Sequence, residues 1–131
     1  MKIKLTSVYV DDQAKALRFY TEVLGFAKKD DFTNGPFRWV TVTSSEEKGG
    51  TELQLAPNQL PEAKALQQAL FQLGQPAANF STGDIKCDYE RIKAGGAEFT
   101  MPPTDVRPGT TIAMLNDTCG NLIQLTQLAR W

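Results

Sequence analysis

Residues 116–125 read NDTCGNLIQL, and residues 49–57 read GGTELQLAP. Each is a glycine turn followed by a strand-like run. Each also sets a glutamine between hydrophobic neighbours, Gln54 in one and Gln124 in the other, about seventy positions apart. A motif repeated at that distance suggests one structural unit written twice, and the rest of the chain can be tested against it.

The test succeeds at the start of each half. Residues 8–26, VYVDDQAKALRFYTEVLGF, and residues 80–97, FSTGDIKCDYERIKAGGA, share one order: strand, aspartate at a turn, helical pattern, glycine. In the first, Ala16, Leu17, Tyr20, Val23 and Leu24 fall on one helical face, Asp11 or Asp12 caps the start, and Gly25 stops the helix. In the second, Ile85, Tyr89 and Ile92 make the buried stripe, Asp84 is the cap, and Gly95-Gly96 closes the helix.

Three strand candidates follow each helix, at 26–30, 37–43 and 51–56, then at 97–101, 110–116 and 121–127. Turn chemistry separates them at Asn34-Gly35-Pro36, Gly49-Gly50, Pro102-Pro103, Pro108-Gly109 and Cys119-Gly120. The unit is βαβββ, twice. Residues 60–73, LPEAKALQQALFQL, read as a linker helix that packs through its leucines and alanines, with Pro61 in the first turn. The expected fold is α+β and a single domain over 1–131: module 1 at about 1–57, the linker at 58–75 and module 2 at about 76–131. One such unit cannot cover its own sheet. Two units sharing a curved, partly open eight-stranded sheet, with helices outside, leave a central cleft for a ligand.

Composition narrows the chemistry. A net charge of -1 without a basic block argues against a nucleic-acid or anionic-membrane surface. No apolar run has the ~20 residues of a membrane span, and no secretory signal is evident, so the expected address is cytoplasmic. The decisive count is zero histidines, which removes histidine dyads, triads and His-rich zinc sites. Cys87 and Cys119 read as reduced thiols, and Cys119 has no neighbouring cation in sequence to activate it.

The stretches VYVDDQAKALRFYTEVLGF and AMLNDTCGNLIQLTQ resemble the vicinal oxygen chelate superfamily, which includes glyoxalase I, extradiol dioxygenases and the fosfomycin- and bleomycin-resistance proteins. The second stretch is similar to that family's strand–Asp–Pro–x–Gly–strand signature, with Thr118 where proline is usual. The resemblance implies four inward metal ligands, from the first and last strand of each module. Carried over, these positions are Leu5, Gln54, Ala77 and Gln124. Leucine and alanine have no donor, and two neutral amides bring no negative charge to a divalent ion. The family's usual metal, and any other cofactor, is therefore expected to be absent. Glu52, two residues before Gln54 on the same strand face, is the one carboxylate that could support a shifted site.

Alternation names the cleft lining. Leu5 inward brings Ser7 and Tyr9, leaving Val8 and Val10 for the core; Ala77 brings Asn79 and Ser81. Glu52, Gln54 and Ala56 form a third wall, Leu122, Gln124 and Thr126 a fourth, and Phe37, Trp39 and Thr41 a fifth. Ser7, Tyr9, Trp39, Glu52, Gln54, Asn79 and Gln124 are the expected ligand-binding residues, with no catalytic residue assigned. A neutral, aromatic and amide lining suits a small planar organic molecule, the first of three readings. The second is a divergent lyase or dioxygenase-like enzyme built on Glu52. The third is a structural or regulatory protein whose Gln54 and Gln124 bond to one another. A homodimer is expected in each, because two-module chains of the resembled family commonly pair; Trp131 and the linker leucines offer apolar surface for it.

Overall fold

A computed structural model describes residues 1–130; Trp131, proposed above as dimer surface, lies outside the described residues. Module 1 runs β1 (Leu5–Val10), α1 (Gln13–Arg18), β2 (Ala27–Asn34), β3 (Phe37–Thr43) and β4 (Glu52–Pro57). The linker is α2 (Pro61–Gln72). Module 2 runs β5 (Ala78–Ser81), α3 (Ile85–Ala94), β6 (Glu98–Arg107), β7 (Thr110–Asn116) and β8 (Leu122–Leu128). The repeat is therefore present as two βαβββ units in an α+β fold. The eight strands divide into two four-stranded sheets, ordered β1-β4-β3-β2 and β5-β8-β7-β6, with no closed barrel. In both, the first and last strands pair in parallel, so Ser7 lies beside Gln54 and Asn79 beside Gln124.

Local chemistry explains the helices. Asp12 and Asp84 each accept a hydrogen bond from the backbone N–H three residues on, of Lys15 and Cys87, at 3.0 Å. After Arg18 the first helix widens into a π-helical turn, Phe19–Val23, closed by Leu24 N–H donating to Phe19 O at 3.1 Å. The Thr21 hydroxyl donates to Leu17 O at 2.6 Å, competing with the α ladder there. The wider turn sends both Phe19 and Tyr20 into the core. Gly25 ends it at φ +93, with the Arg91 guanidinium 3.3 Å from where a Cβ would stand. Arg91, from module 2, donates to Val23 O and Leu24 O at 3.1 Å and so caps a helix of module 1.

The core lies between sheets and helices. Val8, Val10, Val40, Val42, Leu55, Leu115 and Ile123 are essentially inaccessible, as strand alternation requires. Phe80 of β5 meets Tyr20 and Phe26 edge-on, at ring-centroid distances of 6.4 and 5.1 Å, joining the modules through one apolar interior. No helix among the described residues is long and apolar enough to cross a membrane.

Two expectations need correction. Pro102-Pro103 is not a turn: β6 continues through it to Arg107, with register shifts between Phe99 and Met101 and between Met101 and Thr104. As the outer strand of its sheet, β6 can lack those ladder donors. The linker helix also packs less through its leucines than expected, with Leu70 alone half-buried. Leu60, Leu66 and Leu73 are exposed, whereas Ala63 and Gln67 are buried. The helix docks by hydrogen bonding: Gln67 Nε2 donates to Tyr9 O at 2.9 Å and to Cys119 O and Asn121 Oδ1 at 3.1 Å, while its Oε1 accepts from Asn58 at 2.7 Å. Gly120, at φ +101, gives the room for this, since a Cβ there would stand 2.8 Å from the Gln67 amide.

Candidate functional site

In β1, Val8 and Val10 turn into the core while Leu5, Ser7 and Tyr9 stay on the open face. Register extends that face across the sheet. Ser7 pairs with Gln54 and Gln54 with Thr41; Tyr9 pairs with Ala56, and Trp39 with Phe32. Tyr9 and Trp39, on β1 and β3, therefore lie on either side of β4, with Ala56 beside Tyr9. In module 2 the matching row is Asn79, Gln124 and Met114.

Each glutamine has a partner within its own sheet. Ser7 Oγ donates to Gln54 Oε1 at 2.9 Å. Gln124 Nε2 donates to Thr126 Oγ1 at 3.1 Å, and the Thr126 hydroxyl donates in turn to Asn79 Oδ1 at 2.7 Å. The mutual Gln54–Gln124 bond of the third reading is not formed; one end of each amide is instead bound by a hydroxyl of its own sheet. Glu52 Oε1 accepts from Thr41 Oγ1 at 3.1 Å, and the Thr41 oxygen accepts Asp30 N–H at 3.2 Å.

The seven expected site residues fall into two groups. Ser7, Glu52 and Asn79 line an open cavity of about 1110 Å³ between the modules, together with Phe26, Phe80 and Arg91. Tyr9, Trp39, Gln54 and Gln124 lie on the sheet faces beside it, since the cavity runs along β5 and meets only the early residues of β1 and β4.

The four family metal positions do not suit a cation. Leu5 and Ala77 offer no donor, the Gln54 oxygen receives the Ser7 proton, and the Gln124 amide is committed to Thr126. Among the described residues no three His, Cys, Asp or Glu side chains are grouped to hold an ion. A divalent charge here would meet no compensating anion, so no chemistry is derived through a metal.

Sequence reasoning underestimated the turn before β8. Asp117, the aspartate of the resembled signature, is fully buried. Its Oδ1 accepts from Cys119 N–H at 2.8 Å and Asn121 N–H at 3.0 Å, and its Oδ2 from Tyr20 Oη at 2.7 Å and Asn121 Nδ2 at 2.8 Å. Burial, then the Asp117 carboxylate, hold the Tyr20 phenol well above its usual range, so it stays protonated and donates. The Cys119 thiol is buried too and pushed up to about 12, first by burial and then by Asp117, which makes it inert. Thr118 has φ +64, a conformation closed to proline, so its departure from the resembled signature goes with a different backbone at that turn. Asn121 Nδ2 also donates to Tyr9 O at 2.7 Å, tying this turn to the site strand. Only the Asp–x–x–Gly–Asn spacing hinted at the network; Tyr20 read as a packing residue of the helical face, and Gln67 carried no signal in sequence.

Fold and donor set together raise the question of family. The model of the Glyoxalase/Bleomycin resistance protein/Dioxygenase superfamily matches residues 2–125. The chain belongs to this superfamily. It is 50% identical over 127 residues to Uncharacterized protein YurT of Bacillus subtilis (strain 168), spanning 97% of this chain and 99% of that one. It is 29% identical over 131 residues to a Probable lactoylglutathione lyase of Vibrio cholerae serotype O1, with 96% and 90% of the two chains covered. Among solved structures, TnmS3, an antibiotic binding protein from Streptomyces sp. CB03234, superposes with a TM-score of 0.75 at 27% identity, covering 98% of this chain and 96% of that one.

Proposed function

We propose that this superfamily member binds a small, planar, neutral or aromatic organic molecule without a metal ion, as a cytoplasmic homodimer. The observation that carries the reading is that one sheet face presents Tyr9, paired with Ala56 of β4, and Trp39, two residues from the last β3 residue paired with β4. One ladder spacing of ~4.8 Å separates β1 from β4, and β3 stands farther off because its pairing with β4 ends at Gln54, which leaves room for a flat ring between the two aromatic faces. Alanine, the smallest side chain with a Cβ, forms the floor. Ser7 and Gln54 lie one row away and offer a neutral hydroxyl and amide to orient the ligand. The likeness to an antibiotic binding protein supports small-molecule capture.

Dimerisation is supported by the same face. Leu5, Tyr9 and Phe32 are 45%, 42% and 55% exposed, a density of apolar surface that a second copy would cover. Calorimetry against a panel of neutral planar heterocycles is expected to find micromolar binding, weakened about tenfold by Trp39→Ala through loss of one stacking face. If no compound binds better than millimolar, the reading fails and a structural homodimer takes its place.

A second reading, a divergent lyase with a shifted metal at Glu52, draws on Glu52 lining the cavity beside Ser7 and Asn79 and on the lyase-named relative. Elemental analysis after growth with Zn²⁺, Ni²⁺, Mn²⁺ and Fe²⁺ decides it, and less than about a tenth of a metal per chain ends it.

A further inference from the structure

The β3–β4 ladder is incomplete. Pairing runs from Thr43 with Glu52 to Thr41 with Gln54 and stops, although β3 begins at Phe37 and β4 continues to Pro57. The corresponding β7–β8 ladder runs unbroken from Thr110 with Leu128 to Asn116 with Leu122. Where the first ladder stops, a side chain takes over. Gln13 Nε2 donates to Arg38 O at 2.8 Å and to Leu55 O at 3.0 Å. Of the two ends of the amide, only the NH₂ can serve two carbonyls, so its orientation is dictated by chemistry. Gln13 is the first residue of α1, set in place by the Asp12 cap, so the helix aims the amide.

The two bridged carbonyls belong to the residues just before Trp39 and just before Ala56. A direct ladder would draw the two backbones to about 4.8 Å, whereas a bridging amide holds the carbonyls two hydrogen-bond lengths apart. We infer that Gln13 is a positioning residue: its amide sets the separation of β3 from β4, and with it the width of the gap between the Tyr9 and Trp39 rings. Gln13 touches no ligand; it acts through Trp39 and selects for the thickness of what enters. The inference rests on the stacking site proposed above and assigns its selectivity to a residue on the far side of the sheet.

The test has two arms. In a Trp131→Phe background Trp39 is the only tryptophan. Gln13→Met keeps the length and removes the donors; Gln13→Lys restores donors at similar reach. Without ligand, acrylamide quenching of Trp39 is expected to rise about twofold in Gln13→Met, as the strand end loosens, and to return toward wild type in Gln13→Lys. With lumichrome, a neutral three-ring heterocycle, as probe, affinity is expected to fall about tenfold in Gln13→Met and recover in Gln13→Lys. Far-UV circular dichroism checks folding; should Gln13→Met not fold, quenching and affinity in Gln13→Lys near wild-type values are the expected result. Wild-type quenching in a folded Gln13→Met, or Gln13→Lys quenched above wild type, overturns the spacing role. Altered quenching with unaltered lumichrome affinity, or no lumichrome binding by wild type, instead overturns the link to a stacking site and leaves Gln13 as a strand spacer only.

Discussion

The turns that lead into β4 and β8 are counterparts in the repeat and opposites in the molecule. Between β7 and β8, Asp117, Cys119 and Asn121 are buried, and their polar groups bind Tyr20, Gln67 and the Tyr9 carbonyl. Between β3 and β4, Glu46, Glu47 and Lys48 are exposed, and Glu46 and Glu47 border the open cavity. One copy of the turn has become the joint between modules, and the other has stayed at the mouth of the cleft. The sheets follow the same division. Both modules carry a hydroxyl–amide row, but module 2 has a complete β7–β8 ladder, whereas module 1 has a shortened β3–β4 ladder with Tyr9 and Trp39 on its open face. The two copies of the turn thus differ by burial, one enclosed within the fold and the other exposed.

The largest effect should come from breaking the buried turn. Asp117→Ala strands four donors, from Cys119, Asn121 twice and Tyr20, inside the protein. A loss on the order of 3–5 kcal/mol is expected in urea unfolding. Glu47→Ala, in the opposite turn, is expected to stay within about 0.5 kcal/mol of wild type. Similar losses from both would erase the distinction between the turns.

The same joint predicts alkaline sensitivity. The Cys119 thiol titrates near 9.0 when unfolded and at about 12 when folded. Below the first value both states hold the proton, and the full stability is present. Above it the unfolded chain releases a proton the fold retains, so stability falls by about 1.4 kcal/mol per pH unit until the folded thiol titrates. Tyr20, also raised in the fold, adds a loss of the same sign starting near its unfolded value of 10.0. Urea midpoints followed upward in pH should therefore decline in two stages, and Cys119→Ala should remove the first, between 9.0 and 10.0. An unchanged profile in that variant would show that the thiol is not held protonated by the joint.

This contrast explains what could be read in advance. The βαβββ repeat was legible because alternation, capping aspartates and glycine stops are local patterns, and both Asp12 and Asp84 cap as their positions require. The open face was legible for the same reason: period two sends Ser7 and Tyr9 away from Val8 and Val10. What could not be read depends on contacts distant in sequence. Gln67 looks like a polar interruption in a leucine helix until Tyr9 and Cys119 are beside it. Gln13 looks like any first-turn residue until Arg38 and Leu55 supply the carbonyls. Pro102-Pro103 looks like a turn unless the strand is known to be outermost.

The smallest predicted effect tests the two glutamines directly. Gln54 uses its oxygen, accepting from Ser7, and Gln124 uses its nitrogen, donating to Thr126. A carboxylate can replace the first role but not the second. Gln54→Glu should therefore keep the Ser7 bond and change stability by less than about 0.5 kcal/mol at neutral pH. Gln124→Glu sets an acceptor against the Thr126 oxygen, whose proton already goes to Asn79 Oδ1 at 2.7 Å. That change should cost about 1 kcal/mol above the carboxylate's titration and less below it, where the protonated acid can donate again. Urea unfolding of both variants at acidic and neutral pH measures the difference. Equal costs, or a larger cost for Gln54→Glu, would mean that the amides are not oriented as their partners indicate, and the asymmetry between the modules would not extend to the pair that first reveals the repeat.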